Sequence, residues 1–326
     1  MPGTVVNVGS CVVTVSGDVP PEEMGICDAH SHVWIDRVAS AAEGSPVLDT
    51  PPEILQELCA YQAGGGDSVV DCQPGGCGRN GNRLLELSRA SGVKIVASTG
   101  FHLRRYYPSD YWLWRATVKG VMDHLVSELR VGLDEAAGAE TPVRAGLIKI
   151  ACEAELQRTP QVALDAAMAA AVETGCAVEV HTEKGAEAEK ILGHFRDHGV
   201  TPDRMTLCHM DKRPDPGLHF ELAKGGALLE YDTFFRPQYD PERNQWPLVN
   251  TMAVHGLCDR VALASDLALS VLWKSMGGGP GMASFPKDIR ARLRKTGLDP
   301  ASIELLMGKN IAQRLAMPGP EARSQG

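Results

Sequence analysis

His30 and His32 are separated by one residue in Asp28-Ala29-His30-Ser31-His32, directly after the apolar run Met24-Gly25-Ile26-Cys27. A strand alternates its side chains with a period of two, so both imidazoles leave one face and can reach one metal ion. Asp28 shares that face. Two surface histidines in a turn would read the same, and the rest of the chain decides. Lys149 lies inside Gly146-Leu147-Ile148-Lys149-Ile150, and His181 closes Ala177-Val178-Glu179-Val180. His209 closes Met205-Thr206-Leu207-Cys208, and Asp266 follows Leu263-Ala264-Ser265. Apolar runs thus end repeatedly in a residue able to bind a metal. A lysine inside an apolar strand needs an account, because burying an ammonium is expensive. It could snorkel, pair with a carboxylate such as Glu153, or be carboxylated by carbon dioxide. The last turns the cation into an anionic carbamate able to bridge two metals.

These residues must be positioned by the elements around them. Thr4–Val8 and Cys11–Val15 read as a hairpin split by Gly9-Ser10. Strands are then expected at 26–29, 68–71, 93–97, 147–150, 177–180, 205–208, 227–231 and 261–264. Helices alternate with them, starting at Pro51-Pro52-Glu53 and at 82–91, 114–129, 161–174, 186–198, 218–224 and 245–255. Two more follow at 288–296 and 301–315. This rhythm is that of an α/β chain, a (β/α)8 TIM barrel with a short N-terminal β-hairpin extension. The divisions expected are an extension over 1–24, one barrel over 25–317 and a tail over 318–326. A doubly wound sheet usually has a Gly-rich phosphate turn after its first strand, where this chain has His-x-His. In a barrel all C-terminal strand ends meet at one mouth, so four histidines, Lys149 and Asp266 would face a common cavity.

The 326 residues are 44% hydrophobic, enough for one large core, and carry a net charge of −9. That acidity argues against broad nucleic-acid binding or an anionic membrane surface. No signal peptide or spanning run is evident, so the expected residence is cytoplasmic. Nine scattered cysteines, several inside apolar runs, fit reduced thiols better than a disulfide framework. His102, after the third strand, could contact substrate or simply be solvated. His124, His194, His198, His219 and His255 fall on helices and read as structural. Asp28 and Asp211 could orient ligand histidines or equally serve in a cap or turn.

The ordered set of His-x-His, strand Lys, two single His and a final Asp resembles the amidohydrolase superfamily, most closely its phosphotriesterase-like branch. Val180-His181-Thr182-Glu183, Cys208-His209-Met210-Asp211, Ala264-Ser265-Asp266 and Met307-Gly308-Lys309-Asn310-Ile311 carry the resemblance, which covers roughly 25–315. Ser31 stands where that branch more often has Glu, on the side away from the metal face. The resemblance implies two divalent metal ions, zinc first, with manganese, cobalt, nickel or iron as alternatives. His30, His32 and Asp266 would hold one ion, and His181 and His209 the other. A carbon dioxide-derived carbamate on Lys149 and a hydroxide would bridge them. Two metals sharing a water lower its pKa towards roughly 7. Asp266 would accept the hydroxide proton and pass it towards the leaving oxygen. The family also implies a homodimer.

The loops set the substrate, and here they are cationic: Lys184 follows His181, Lys212-Arg213 follows His209, Arg236 and Tyr239 follow the seventh strand, and Arg104-Arg105 lie in the third loop. Such clusters suit a phosphate or carboxylate. By resemblance, Lys212, Arg236 and Tyr239 occupy the phosphate-binding positions of a sugar-phosphate lactonase. The expectation is therefore a lactonase acting on a small anionic lactone. One alternative is a neutral-lactone hydrolase with promiscuous phosphotriesterase activity. Another is a metal-binding but inactive binding protein.

Overall fold

The computed structural model of the protein describes residues 9–39 and 41–318. Eight short parallel strands build its centre: β3 (Cys27–Ser31), β4 (Ser68–Asp71), β5 (Lys94–Phe101), β6 (Ala145–Ala151), β7 (Val178–His181), β8 (Met205–Cys208), β9 (Leu228–Tyr231) and β10 (Val261–Leu263). They pair strictly in chain order. The seam between β10 and β3 is bridged by the Asp266 N–H, which donates to the His30 carbonyl at 2.9 Å. The strands are nearly all buried on both sides, as expected of parallel strands covered by helices.

The outer layer comprises α1 (Pro51–Ala63), α2 (Gly81–Ser91), α3 (Val118–Arg130), α4 (Gln161–Thr174), α5 (Ala188–Asp197), α6 (Pro216–Lys224) and α7 (Gln245–Val254). Local chemistry sets their ends. Asn80, Thr117 and Asp215 accept from free N–H groups at the starts of α2, α3 and α6. Gly92 and Gly175 end α2 and α4 in the left-handed conformation. The two last helices expected are each broken. A π-turn over Phe285–Ile289 precedes α8 (Arg290–Lys295), and another over Leu305–Lys309 parts α9 (Pro300–Glu304) from α10 (Asn310–Leu315). The second break lies at Gly308, where any Cβ would sit 2.0 Å from the Gly25 carbonyl oxygen.

The N-terminal strand expected at Cys11–Val15 forms as β1 (Ser10–Thr14), while the expected strand at Thr4–Val8 lies outside the described residues. β1 turns back through β2 (Gly17–Val19), a pairing not expected, and also pairs with β11 (Met317–Pro318). The Val15 N–H donates to Ile95 at the start of β5, and the Val13 carbonyl lies over Gly146 at the start of β6. This small sheet therefore covers the N-terminal end of the barrel, opposite the mouth.

Candidate metal centre and its mouth

The strand ends bring the expected ligands together. His30 and His32 have ring centroids 5.6 Å apart, and His30 and His209 are 5.0 Å apart. His181 Nδ1 and His209 Nε2 lie 2.9 Å from each other. Asp266 Oδ1 faces His32 Nε2 at 3.7 Å and His30 Nε2 at 4.0 Å. Two backbone deviations make this possible. His209 and Asp266 both have positive φ, at 63° and 46°, uncommon for residues with a Cβ. At His209 the turn breaks the strand alternation. Cys208 then reaches Lys149 at 3.4 Å, while His209 still faces His181.

The rings are held by their second nitrogens. His32 Nδ1 is 2.8 Å from Gln73 Oε1, an oxygen that can only accept, so Nδ1 carries the proton and Nε2 is left free. Asp232 does the same for His209, whose Nδ1 lies 2.5 Å from Oδ2. Asp28 and Asp211 hydrogen-bond no histidine ring among the described residues and take the cap-or-turn alternative instead. Asp28 accepts from the backbone N–H groups of Ser265 and His30 and from the Ser265 hydroxyl, tying β3 to the turn after β10. Asp211 accepts from the N–H groups of Asp232 and Thr233, fixing the segment that presents Asp232. Burial raises both carboxyls to about 7.

Lys149 is completely buried, and its partner is Glu179 rather than Glu153. The ammonium donates to Glu179 Oε1 at 2.9 Å, with the His30 ring at 3.3 Å. Glu179 pairs with Lys149 in register and precedes His181 by two residues, so both side chains enter the barrel. A second buried acid, Glu230, precedes Asp232 by two and approaches His30 Nδ1 at 2.9 Å. Burial opposes the Lys149 charge, yet its neighbours Cys208, Cys72, Glu179 and Glu230 raise its pKa well above the ordinary range. Burial pushes both thiols and the Glu230 carboxyl upward, so these are neutral and Glu179, held low by Lys149 against the effect of burial, carries the compensation.

Burial, then the nearby His30, lowers the His32 pKa to about 3. Burial, followed by Lys212, lowers that of His209, and burial also lowers His181. These three rings are therefore neutral, as ligands must be. Burial works against the Asp266 carboxylate, but the Arg236 guanidinium outweighs it and holds its pKa at about 2. Divalent ions fit this set: nitrogen and carboxylate donors converge, and buried His181 Nε2 and Asp232 Oδ1 have no hydrogen-bond partner among the described residues.

Above the ligands lies a cavity of about 490 Å³, lined by His102, Arg105, Lys212 and Arg236 and by the aliphatic Ile35, Val38, Val47 and Leu269. His102 stands beside His181, with centroids 5.4 Å apart. Arg236 Nη2 donates to Asp266 Oδ2 at 2.8 Å. Lys212 Nζ lies 3.7 Å from Asp232 and 4.0 Å from Asp266, over the Tyr239 ring. Two of the expected substrate contacts lie off the cavity lining. Lys184 is exposed and does not line the cavity, because the left-handed turn at Lys184-Gly185 points it outward. Tyr239 does not line it either and meets Lys212 with its ring face. The Cys72 thiol donates to Glu179 Oε1 and the Cys77 thiol to the Pro74 carbonyl.

A parallel barrel with a histidine-rich mouth at its C-terminal strand ends defines a TIM-barrel hydrolase. The chain belongs to the phosphotriesterase family, which it matches over residues 10–315, and that family is metal-dependent. A phospho-furanose lactonase of Mycoplasmopsis agalactiae is 30% identical over 249 residues, covering 71% of this chain and 69% of its own. An N-acetyltaurine hydrolase of Dictyostelium discoideum is 24% identical over 315 residues, covering 92% and 82%. Among solved structures, a lactonase from Listeria monocytogenes superimposes with a TM-score of 0.86 at 22% identity, covering 94% of this chain and 99% of its own. The protein is thus a lactonase-like hydrolase of this family, and no helix among its described residues is long and apolar enough to cross a membrane.

Proposed function

We propose that the protein opens a small anionic lactone, a sugar-phosphate lactone being the preferred substrate, at a centre of two divalent ions. His30, His32 and Asp266 would hold one ion, His181 and His209 the other, and a carboxylated Lys149 would join them. Bound there, such ions activate water near neutral pH and polarise a carbonyl. Lys149 can be carboxylated only after its ammonium loses a proton and leaves Glu179. Asp266, a carboxylate at working pH, is placed to take the proton of the attacking water and return it to the ring oxygen. Gln73 and Asp232 keep the lone pairs of His32 and His209 turned inward.

The observation carrying the substrate class is the pair Lys212 and Arg236, rooted on different strands and poised beside Asp266. The named relatives support it: one acts on a phosphorylated lactone, the other on an amide whose taurine part bears a sulfonate. Both substrates are carbonyl compounds that carry an anionic group. A charge-assisted hydrogen bond is worth roughly 1.5–3 kcal/mol, so Lys212→Ala should lower kcat/KM on a phosphorylated lactone on the order of tenfold to a hundredfold. The matching unphosphorylated lactone should be spared, with metal content unchanged. Equal losses on both would overturn the anionic reading. They would favour a neutral lactone, for which the wall of Ile35, Val38, Val47 and Leu269 offers a surface.

A further inference from the structure

His194 and His198 lie one helical turn apart, at the last turn and the C-cap of α5. Residues at i and i+4 share a helix face. Across from them, α4 presents Asp165, and ligand atoms of Asp165, His194 and His198 all lie within 4.8 Å of one another. The imidazole centroids are 4.4 Å apart. None of the three residues lines the cavity at the barrel mouth.

The rings are prepared in two ways. His198 Nδ1 lies 2.7 Å from the His194 carbonyl. A carbonyl only accepts, so Nδ1 carries the proton and the Nε2 lone pair is free. A backbone carbonyl fixing the second nitrogen is the usual arrangement of a metal-bound histidine. His194 Nε2 is buried and has no hydrogen-bond partner among the described residues. Burial and then the neighbouring His198 lower the His194 pKa, which keeps that ring neutral.

We infer that Asp165, His194 and His198 form a peripheral metal site that binds a borderline divalent cation, zinc or copper(II), and clamps α4 to α5. Two imidazoles and one carboxylate, completed by water, are a sufficient zinc shell. At zinc–nitrogen lengths of about 2.0–2.1 Å, tetrahedral ligand atoms are about 3.3 Å apart. Small side-chain adjustments that keep the His198–carbonyl bond can close the difference, and the exposure of His198 opens a path from solvent. The Asp165 carboxylate, with Asp197 nearby, supplies the negative charge.

The test uses the intact enzyme, its catalytic centre saturated with zinc and excess metal removed. Equilibrium dialysis against zinc should then add about one equivalent per chain. The added ion should raise Tm by a few degrees, since ligands that bind only the native state stabilise it. His198→Gln and Asp165→Asn should each lose the extra equivalent and the Tm rise, with lactone hydrolysis unchanged. Copper(II) bound at the extra site should show nitrogen hyperfine structure from two imidazoles in the wild type, and from one at most in His198→Gln. Should His194→Ala misfold, the exposed His198 still decides. Equal zinc uptake by wild type and His198→Gln, or none beyond the catalytic complement, overturns the inference.

Discussion

Gln73 shows how much of this centre depends on residues that bind nothing. Its amide nitrogen donates to the Cys77 carbonyl, which leaves only the oxygen to face His32. The amide thereby selects the tautomer in which Nε2 faces Asp266. Gln73→Leu removes that selection without touching a ligand, and should weaken metal binding about tenfold to a hundredfold. Chelator competition measures this, and Gln73→Glu should retain most of the affinity. At Lys149 the expectation is sharper. Lys149→Ala should lose the proposed carbamate bridge and most activity, and added short carboxylic acids with metal should restore part of it. Wild-type activity in Lys149→Ala would make the residue purely structural.

Among the elements, β5 and α3 are joined through one buried arginine, just before the start of α2. Arg79 spends all five N–H donors on the Ser98 carbonyl of β5, on Glu128 of α3 and on Glu135. Thr99 also donates to Glu128. Arg79→Met would leave the Glu128 carboxylate buried without its partner, a loss of about 3–5 kcal/mol. Denaturant titration should show it, and adding Glu128→Gln should recover part. The pH dependence has a definite sign. Burial tends to raise the Glu128 pKa, but Arg79 outweighs it and holds it below the ordinary value. Its contribution is thus complete above the unfolded pKa of about 4.3 and fades as pH falls below it. Wild type and Arg79→Met should converge in stability at acid pH.

The elements that sequence misplaced are those set by contacts between distant residues. β5 continues four residues past Ala97 because Gly100 lets it lie against β6, where a Cβ would be 1.9 Å from the Lys149 carbonyl oxygen. The start of α3 shifts from Trp114 to Val118, because Thr117 caps it and residues 112–115 form a separate turn. The strand ends were legible because His, Lys and Asp inside apolar runs have no ordinary place there. Glu179 was open to the same reading, two residues before His181, whereas Gln73 and Arg79 sit in a Gly-rich loop with no periodicity to read.

At the scale of the whole molecule, the barrel is active at one end and sealed at the other. Val12, Val13 and Val15 of the small sheet are completely buried. Gly146 makes room for it, since a Cβ there would stand 2.5 Å from the Val13 carbonyl oxygen. Gly146→Ala should therefore unseat the sheet, cost about 1–3 kcal/mol and lower Tm by several degrees, with the unfolded end farthest from the metal ligands. Differential scanning calorimetry reads the first effect, and protection of β1 amides from hydrogen exchange the second. The pairing of Ser10 with Pro318 also has a practical side. Any linker grafted just outside that pair leaves from the floor of the barrel. Enzyme anchored through such a linker to a bead or electrode would stand with its mouth towards the solution, and a short peptide joining the two positions would make a seam-free starting point for circular permutation.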